Sequence, residues 1–549
     1  MKAAPWLFFA GIKCDGDNCM GVYINPGKGG FVEAISSDIY IDKTNLIKYT
    51  NSVIGTQQKY ICVSRPRRFG KSITAAMLCA YYDRTAHSIQ EFQKYNIYTT
   101  DPDYDNSKYI NKYDVILVNI QDFLTDAGNI SNLINNLNKA LTWELTKLYN
   151  NVDFYENASL VRVLQDIYAQ LNRKFVIIID EWDCVFRERK NEPDAHIKYL
   201  DYLREWLKDK PYVALAYMTG ILPIKKYGTQ SALNMFDEYS MENPGVLAEY
   251  VGFTEDEVSL LCSQKGMDFE ECKAWYDGYS FPKCKSIYNP KSVVSMIRSG
   301  EFHDYWNQTE NYEALKEYID MDYDGVKEAI LAMMSYEKKQ INVGSFQNDM
   351  TTFSNADDVL TLLIHLGYLG YDSEIKSVFI PNREIMQEFV TSTTAGSDAW
   401  DEVIKSVKDS KTLMEATLSA DEGIVAEYIE RAHFETSHLQ YNDENALSYT
   451  VSLAYYAARH DYYIIRELPT GKGFADLTFI PKKNNKRALP GIVVELKWDK
   501  TADTAISQIK EKKYEGVLKA FTGKLLLVGI AYDRKTKVHS CKIEQYDNV

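Results

Sequence analysis

Long apolar runs are missing from this 549-residue sequence. No stretch has the roughly 20 consecutive apolar residues that a membrane-spanning helix needs, so we expect a soluble chain. The N-terminus carries one lysine and a short apolar run that Pro5 interrupts, and no small-residue cleavage site follows. A secretory signal peptide is therefore not expected, and we predict a cytoplasmic protein.

A disulfide framework is also missing. The nine cysteines are an odd number and are scattered singly, apart from Cys14 and Cys19. This usage is typical of reduced thiols in a cytoplasmic protein. Cys14 and Cys19 have no second pair with which to complete a zinc site, so we interpret them as incidental.

The chain also lacks a surplus of positive charge. The chain has 62 Lys and Arg residues against 77 Asp and Glu residues, which gives a net charge of −15. This balance argues against a surface coated in nucleic-acid-binding cations, so any nucleic-acid contact must be a local basic patch aided by metal ions. The hydrophobic content of 45% and the charged content of 25% are typical of globular proteins. The length predicts about three or four domains.

The segment from Tyr60 to Ser72 is the strongest motif that is present. A short β-branched run and a turn precede Gly70-Lys71-Ser72, which opens an Ala- and Leu-rich helix. In a phosphate-binding loop, the N–H groups of the turn and the positive end of the helix face the anion, the lysine supplies positive charge, and the serine hydroxyl binds magnesium. Arg65 stands where the pattern G-x-x-x-x-G-K-[ST] has its first glycine, so the match is incomplete. The flanking strand and helix favour nucleotide binding over an ordinary helix start.

A second glycine-rich stretch, Gly-Lys-Gly-Gly, occupies residues 27–30. No helix with Lys-Ser/Thr follows it in the sequence, so it does not qualify as another phosphate loop. We predict a flexible turn there.

A buried-strand pattern farther along the chain ends in two carboxylates. The run that begins at Lys174 is mostly apolar, and Asp180 and Glu181 follow it. Acids at the carboxyl end of a parallel strand lie in the crevice where ligands bind. We predict that Asp180 holds magnesium through water and that Glu181 polarises the attacking water. Alone, this pattern would be interpreted as an incidental acidic cap, but the Gly-Lys-Ser motif upstream favours a nucleotide site.

Four segments resemble one known family, the AAA-ATPase-like proteins fused to a PD-(D/E)XK nuclease. They are Phe31–Ala34, Tyr40–Thr44, Arg65–Ser72 and Asp180–Asp183. The resemblance extends from about Gly30 to the C-terminus, and an arginine-rich loop without the first glycine is usual in that family. It implies an ATP and Mg²⁺ site formed by Arg67, Arg68, Phe69, Gly70, Lys71, Ser72, Asp180 and Thr219, with Glu181 as the catalytic base.

Alternating strands and helices surround these motifs. Asp114–Asn119 and Tyr212–Met218 have the pattern of buried strands, and Ser131–Leu148 has apolar residues at helical spacing. This alternation predicts an α/β fold with a doubly wound parallel sheet. Thr219 resembles the polar sensor beside the γ-phosphate in P-loop ATPases, although a plain strand-ending threonine explains it equally well. An arginine finger cannot be identified, since another subunit of a homo-oligomer could supply it.

The middle of the chain is predicted to be helical from Gly252 onward, with a capping pattern at Thr254 and Glu257. The family resemblance implies a helical lid here. Residues 355–382 have the pattern of a helix followed by a hairpin, similar to a small winged-helix module. Its role, either moving with nucleotide state or presenting a partner surface, stays open. The aromatic clusters near residues 275–279 and 305–306 are interpreted as core packing in preference to base stacking.

The last part of the chain carries a second chemistry. Gly473–Ile480 and Gly491–Trp498 have strand patterns, and period-two alternation puts Glu495 and Lys497 on one face. If Asp476 lies beside them, two carboxylates can hold magnesium while Lys497 orients the attacking water. Glu-x-Lys is common on exposed strands, but the surroundings favour a catalytically intact site.

The nuclease resemblance adds three further residues. It implies an acidic metal ligand, Glu444, at the start of a preceding helix, and a Gln-x5-Tyr motif at Gln508 and Tyr514. Lys512, in the same lysine-rich helix, would meet phosphates of a nucleic acid, DNA in preference to RNA, although a solvated helix face explains it equally well. The order of helix, three strands, helix and strand is the one that the PD-(D/E)XK fold requires.

The predicted domains are an N-terminal extension (1–30), an AAA-like P-loop domain (31–245), a helical lid with a winged-helix-like region (246–400) and a restriction-endonuclease-like α/β domain (401–549). The leading hypothesis is a metal-dependent nuclease gated or positioned by an ATPase cycle. The rival is a non-enzymatic nucleotide switch whose nuclease fold only grips nucleic acid or a protein partner.

Overall fold

The computed structural model describes most of the chain. The described residues are 13–15, 18–101, 103–227, 230–306, 312–319, 323, 325–334, 337–394, 410, 412–436, 451, 454–455, 458, 461–470, 473–482, 489–511 and 524–547. The chain divides into two units. The first is Met1–Ala329 with Lys338–Glu388, and the second is Ile330–Glu337 with Phe389–Val549.

The first part of the first unit alternates helices and strands. Its elements are β1 (Lys13–Asp15), β2 (Asn18–Met20), α1 (Gly29–Ile35), α2 (Leu46–Val53), β3 (Tyr60–Ser64), α3 (Lys71–Tyr82), α4 (Ile89–Phe92), α5 (Asn96–Thr99), β4 (Asp114–Asn119), α6 (Ile120–Ala127), α7 (Ile130–Leu148), α8 (Leu160–Leu171), β5 (Phe175–Asp180), α9 (Cys184–Glu188), α10 (Pro193–Leu207), β6 (Val213–Gly220), β7 (Lys226–Tyr227), β8 (Gln230–Ser231) and β9 (Asp237–Tyr239).

The elements that follow are mainly short helices and hairpin strands. They are β10 (Phe253–Thr254), α11 (Glu255–Lys265), α12 (Phe269–Tyr276), β11 (Tyr279–Phe281), β12 (Cys284–Tyr288), α13 (Pro290–Ser299), α14 (Tyr312–Ile319), α15 (Val326–Met334), β13 (Lys339–Gln340), α16 (Ala356–Leu366), β14 (Gly370–Asp372), β15 (Ser377–Phe379) and α17 (Arg383–Thr394).

The main sheet of the first unit has the order β4-β5-β6-β3-β9, and its neighbouring strands are parallel. Every residue of β5 and β6 is buried, as expected for parallel strands covered by helices on both faces. The predicted α/β fold with a parallel sheet is confirmed. Strand β6 lies between β3 and β5, so the segments that follow all three strands meet at one edge of the sheet.

The residues just before α1 are joined to this sheet. Ile24 forms a bridge to Ile116 of β4, and the Glu144 carboxylate accepts the N–H groups of residues 22–24 at 2.8–3.0 Å. The flexible turn predicted for residues 27–30 is wrong at Gly29 and Gly30, which begin α1. A Cβ on Gly30 would lie 3.2 Å from Cβ of Ala76, so this glycine lets α1 pack closely on α3.

The region from β10 to α13 is helical around a small sheet with the order β10-β12-β11. The capping pattern is confirmed, because Thr254 and Glu257 form a complete capping box at the start of α11. Tyr276, Tyr305 and Trp306 are buried. Their interpretation as core packing is therefore confirmed.

The helix-and-hairpin pattern after residue 355 is also confirmed. Helix α16 is followed by the antiparallel pair β14 and β15, and β13 adds a third strand beside β15. Gly367 ends α16 with φ +91°, a left-handed conformation that favours glycine.

The second unit is built on a mixed sheet. Its elements are α18 (Glu422–Thr436), β16 (Tyr462–Thr470), β17 (Gly473–Pro481), β18 (Gly491–Trp498), α19 (Ala502–Glu511), β19 (Lys524–Asp533) and β20 (Val538–Asp547). The sheet order is β16-β17-β18-β19-β20, with β18 and β19 parallel and the other neighbours antiparallel. The predicted order was helix, three strands, helix and strand. Its part from the three strands onward is confirmed by β16, β17, β18, α19 and β19, and β20 is an additional strand, while Glu444, where the first helix was predicted to begin, lies outside the described residues. A Cβ on Gly529 would lie 2.5 Å from the Ala502 carbonyl oxygen, so glycine is needed where α19 crosses β19.

Within the described ranges, none of the helices has the length and apolar character required to cross a bilayer.

Candidate functional site

The loop between β3 and α3 has the backbone of an anion cradle. Arg68 and Gly70 have φ values of +66° and +90°, and Gly70 is the residue from which α3 begins. Left-handed residues in such a turn direct successive N–H groups toward a common anion, and the helix adds its positive end. The left-handed conformation explains why glycine precedes Lys71.

Lys71 lies inside this loop. Its side chain is buried, and Nζ donates to the carbonyl oxygens of Arg65 at 3.0 Å and Pro66 at 2.8 Å. Burial lowers the pKa of Lys71, and the nearby Glu181 and Asp180 carboxylates oppose that shift. A cation with only carbonyl partners is well placed to exchange them for a phosphate.

Arg65 explains how the loop does without its first glycine. Its guanidinium is fully buried, and Nη1 donates to the carbonyl oxygens of Tyr239 at 3.1 Å and Ser240 at 3.0 Å. The same group lies 5.2 Å from the ring centre of Phe281. Burial lowers the pKa of Arg65 to about 10. This side chain therefore ties the start of the loop to the end of β9, and a side chain at this position is compatible with the loop.

The acids predicted after β5 are brought close to Thr219 and Lys71. The Asp180 Oδ1 atom accepts from the Thr219 hydroxyl at 3.1 Å and from the Glu181 N–H at 3.0 Å. Glu181 has φ +52°, an uncommon conformation for a residue with a side chain. Burial raises the pKa of Glu181, and the neighbouring Asp183 carboxylate adds to the shift. Asp180 and Thr219 are themselves buried at adjacent strand ends.

Arg187 is a functional candidate that sequence reasoning missed. Its Nη2 donates to the Glu181 carboxylate, and its Nε donates to Asp183 Oδ2 at 3.1 Å. Asp183 also accepts the N–H groups of Ile221 and Leu222 at 3.1 and 2.9 Å. The spacing of four residues between Asp183 and Arg187 was the available signal, since it sets both on one face of a helix.

Lys71, Glu181 and Arg187 line a cavity of about 1070 Å³, which we call the P-loop cavity, whereas Asp180 and Thr219 lie behind its lining. Its lining includes six predicted loop residues and the catalytic candidate: Arg67, Arg68, Phe69, Gly70, Lys71, Ser72 and Glu181. The lining also includes residues 36–41 and a group from the region around β10 and α13, in neither of which a site residue was predicted. The members of that group are Tyr250, Gly252, Phe253, Pro290, Lys291, Val294 and Arg298.

The loop and the residue 36–43 segment both contact residues 249–279. Lys43 Nζ donates to the Glu257 carboxylate and to the Glu249 carbonyl oxygen, each at 2.7 Å. Glu257 also accepts the Thr254 N–H at 2.8 Å as part of the capping box. The Phe69 side chain is buried and packs edge-on against Tyr279, with ring centres 5.4 Å apart. Phe69 thus positions the loop through packing.

The second unit brings its predicted catalytic residues together. Lys497 Nζ donates to Glu495 Oε1 at 2.9 Å and to the Leu496 carbonyl oxygen at 2.9 Å. Asp476 Oδ2 accepts the Leu496 N–H at 2.7 Å. The register pairs Leu477 with Val494, and one further step sets Asp476 opposite Glu495. Both Glu495 and Lys497 are buried.

Gln508 lies at this same site. Its side-chain amide donates to Glu495 Oε1, so α19 contributes directly to the carboxylate that β18 presents. The sequence prediction assigned Gln508 to nucleic-acid contact. The structure places it against the candidate metal ligand. Glu444, Lys512 and Tyr514 lie outside the described residues.

The donor atoms at both sites suit a hard cation. Asp476 and Glu495 offer carboxylate oxygens, and Ser72 and Asp180 offer a hydroxyl and a carboxylate. Mg²⁺ prefers such ligands and usually keeps several of its waters, so one or two protein carboxylates are enough. In the part of the chain that the structure describes, no three His, Cys, Asp or Glu side chains form a denser metal-binding group.

Comparison with known families agrees with this arrangement. Residues 30–229 match the family described as predicted AAA-ATPase, and residues 444–541 match the PD-(D/E)XK nuclease superfamily. The chain therefore combines a predicted AAA-ATPase domain with a C-terminal domain of the PD-(D/E)XK nuclease superfamily.

Two individual proteins show partial similarity. An uncharacterised protein in the vnfD 5′ region of Azotobacter chroococcum mcd 1 is 25% identical over 284 residues, which cover 49% of this chain and 50% of that protein. The chain thus spans half the length of this relative. The ORC2 protein of Aeropyrum pernix, solved in ADPNP and ADP complexes, aligns with 64% of this chain and 92% of its own at 10% identity and a TM-score of 0.20.

Proposed function

We propose that this protein binds and hydrolyses ATP, and that its ATPase cycle controls a C-terminal, Mg²⁺-dependent nuclease that cleaves nucleic-acid phosphodiesters. One observation carries the proposal: a single chain contains two clusters of residues suited to binding phosphate. Lys71, Ser72 and Glu181 line one cavity, and Asp476 lies beside the buried Glu495–Lys497 pair in the other unit. The proposed boundaries of the ATPase, lid and nuclease regions are residues 31–245, 246–400 and 401–549.

At the P-loop cavity, the loop N–H groups and Lys71 hold the β- and γ-phosphates. Glu181 accepts a proton as the water oxygen bonds to the γ-phosphorus, and the bond to the departing ADP oxygen breaks. The Thr219 hydroxyl, held by Asp180 at 3.1 Å, keeps that carboxylate oriented. Bound Mg²⁺, for which Ser72 and Asp180 are the proposed ligands, would neutralise phosphate charge.

At the second site, Lys497 orients the attacking water and stabilises charge on the phosphodiester, while Gln508 holds the Glu495 carboxylate in place. The water oxygen bonds to phosphorus, and one phosphorus–sugar oxygen bond breaks. Bound Mg²⁺, held by Asp476 and Glu495 and, in our proposal, by Glu444, would make the water a stronger nucleophile.

We propose DNA as the substrate in preference to RNA, and a cytoplasmic location. Because the net charge is −15, substrate binding has to be local, and the lysine-rich segment that contains Gln508, Lys512 and Tyr514 is the proposed contact. Lys512 and Tyr514 are assigned from the sequence motif alone.

The test is a cleavage assay with the purified full chain on single- and double-stranded DNA and RNA, with Mg²⁺ or Mn²⁺, with and without ATP. We expect metal-dependent cleavage that ATP alters. Lys497→Ala should lose cleavage, while Lys500→Ala, a change at an exposed lysine three positions further on, should keep it. If the wild-type protein cuts no nucleic acid with either metal, the proposed nuclease function is wrong, and the non-enzymatic nucleotide switch becomes the favoured function.

A further inference from the structure

We propose that Arg187 is a positioning residue that senses the terminal phosphate of a nucleoside triphosphate, exchanging Glu181 for that phosphate and so releasing Glu181 to act on water. The inference rests on the proposed ATPase function and adds to it a specific route by which the site distinguishes ATP from ADP.

The position of Arg187 is the first support. Its side chain is 8% exposed, and it lines the P-loop cavity together with Lys71 and Ser72. One part of the guanidinium, Nε, is bonded to Asp183 at 3.1 Å. Another part, Nη2, is bonded to Glu181. The Arg187 guanidinium thus contacts Asp183 through Nε and the proposed catalytic carboxylate of Glu181 through Nη2.

The Asp183 contact is a fixed anchor. Asp183 is fully buried, and the N–H groups of Ile221 and Leu222 hold its Oδ2 at 3.1 and 2.9 Å. A Cβ on Gly220 would lie 2.5 Å from Asp183 Oδ1, so glycine at the end of β6 leaves room for this carboxylate. Because the anchor is rigid, Nε keeps its partner while the outer end of the guanidinium can change partners.

The Glu181 contact is the one that can change. Glu181 is partly exposed, with 25% of its side-chain surface accessible, and both residues face the cavity. A terminal phosphate carries more charge than a carboxylate and offers three acceptor oxygens, so it competes well for Nη2. ADP places no phosphate at the third position. Arg187 can therefore contact bound ATP in a way that it cannot contact bound ADP. A ligand shifts a conformational equilibrium only through such a difference in its interactions with the two states.

A purely structural role is the alternative. In that case Arg187 only neutralises Asp183 and Glu181, and replacing it would weaken binding of both nucleotides alike. The two roles therefore differ in the ratio of the two affinities. Arg189 is a matched control, since it is two positions away on the chain and pairs with Glu192 and the Gly128 carbonyl oxygen.

The experiment is calorimetric titration of the full chain, with Mg²⁺, using ADP and the non-hydrolysable β,γ-imido analogue of ATP. Wild type should bind the analogue more tightly than ADP. Arg187→Ala should lower analogue affinity by about ten- to a hundredfold, the range for a lost charge-assisted hydrogen bond, and leave ADP affinity near wild type. Arg189→Ala should keep both affinities.

Two further variants keep the test decisive if Arg187→Ala fails to fold. Arg187→Lys keeps a charge beside Asp183 and should recover part of the preference for the analogue. Glu181→Gln removes the competing carboxylate and should raise affinity for the analogue relative to ADP. Equal losses for both nucleotides in the Arg187 variants, or a preference that no variant alters, would overturn the inference. Absence of nucleotide binding in wild type would instead refute the proposed ATPase function.

Discussion

The two candidate sites of this protein are built in different ways. The P-loop cavity collects side chains from the segments that follow β3 and β5, from α9, from residues 36–43 and from the region around β10 and α13. The nuclease site comes from two adjacent strands and one helix, with Glu495 and Lys497 two residues apart on β18. The first site depends on how several elements are assembled, whereas the second depends mostly on strand pleat and register. The shape of the P-loop cavity therefore depends on tertiary packing, whereas the separation of Glu495 and Lys497 is set by a single strand.

The largest expected effect is at the strand-built site. Asp476→Ala and Glu495→Ala each remove an anionic ligand, so both should abolish nucleic-acid cleavage and weaken Mg²⁺ binding. ATP binding should be unchanged, because the altered groups belong to the other unit. Cleavage assays and calorimetry with Mg²⁺ measure the two effects. Wild-type cleavage in both variants would show that the carboxylates are not ligands.

The next effect separates binding from turnover at the P-loop cavity. Glu181→Gln keeps the shape of the side chain but removes the proton acceptor, so ATP hydrolysis should fall by about 10²- to 10⁴-fold while ATP stays bound. Phosphate release under single-turnover conditions measures it. Unchanged hydrolysis would move the base to another carboxylate, and Asp183 would be tested next.

Lys497→Ala should have a smaller effect than loss of a metal ligand. The carboxylates remain, and only the group that positions water is lost, so cleavage should fall by a factor on the order of a hundred while Mg²⁺ binding survives. Lys500→Ala is the matched control. Equal loss of metal binding and cleavage would instead assign Lys497 a structural role in holding Glu495.

The smallest effect concerns Glu384 on α17 and is visible only in stability. Burial raises the pKa of Glu384 from 4.5 to about 8, and its carboxyl group accepts from the N–H groups of Tyr305 and Trp306 and from Ser292. Between these pKa values the folded chain keeps a proton that the unfolded chain has lost. The contribution of this group is therefore fully present below about pH 4.5 and is lost as pH rises through about 8.

Glu384→Gln removes this titration, so it should flatten the fall in stability between pH 5 and 8 and leave both catalytic activities near wild type. Denaturant unfolding across that pH range measures it, and Glu301→Gln, at an exposed glutamate, is the control. A pH dependence identical to wild type would show that Glu384 is ionised in the folded state.

The contrast between the two sites also explains what the sequence could predict. Period-two alternation is a local property, so it placed Glu495 and Lys497 on one face, where the structure finds them in contact. The parallel sheet followed from runs such as the one ending at Asp180, which are apolar on both faces. These inferences needed only the covalent chain and the geometry of a strand.

Features that depend on assembly could not be predicted in the same way. Nothing in the sequence near Arg187 shows that it will face Glu181, because that contact is set by the turn from β5 into α9. Lys291 and Arg298 of α13 reach the cavity through tertiary packing. Gly30 was wrongly predicted to lie in a flexible turn. Its constraint is the close approach of Ala76, which lies 46 positions away in the sequence and could not be inferred from the local pattern.

The central claim is that the P-loop cavity controls the nuclease site, and one measurement tests it most directly. Cleavage rates of wild type and Lys71→Ala are compared with and without ATP. Loss of the buried Lys71 charge should remove most ATP affinity, so ATP should change wild-type cleavage by a factor on the order of ten and leave the variant unaffected. An identical ATP response in both proteins, or wild-type cleavage that ignores ATP, would contradict the account.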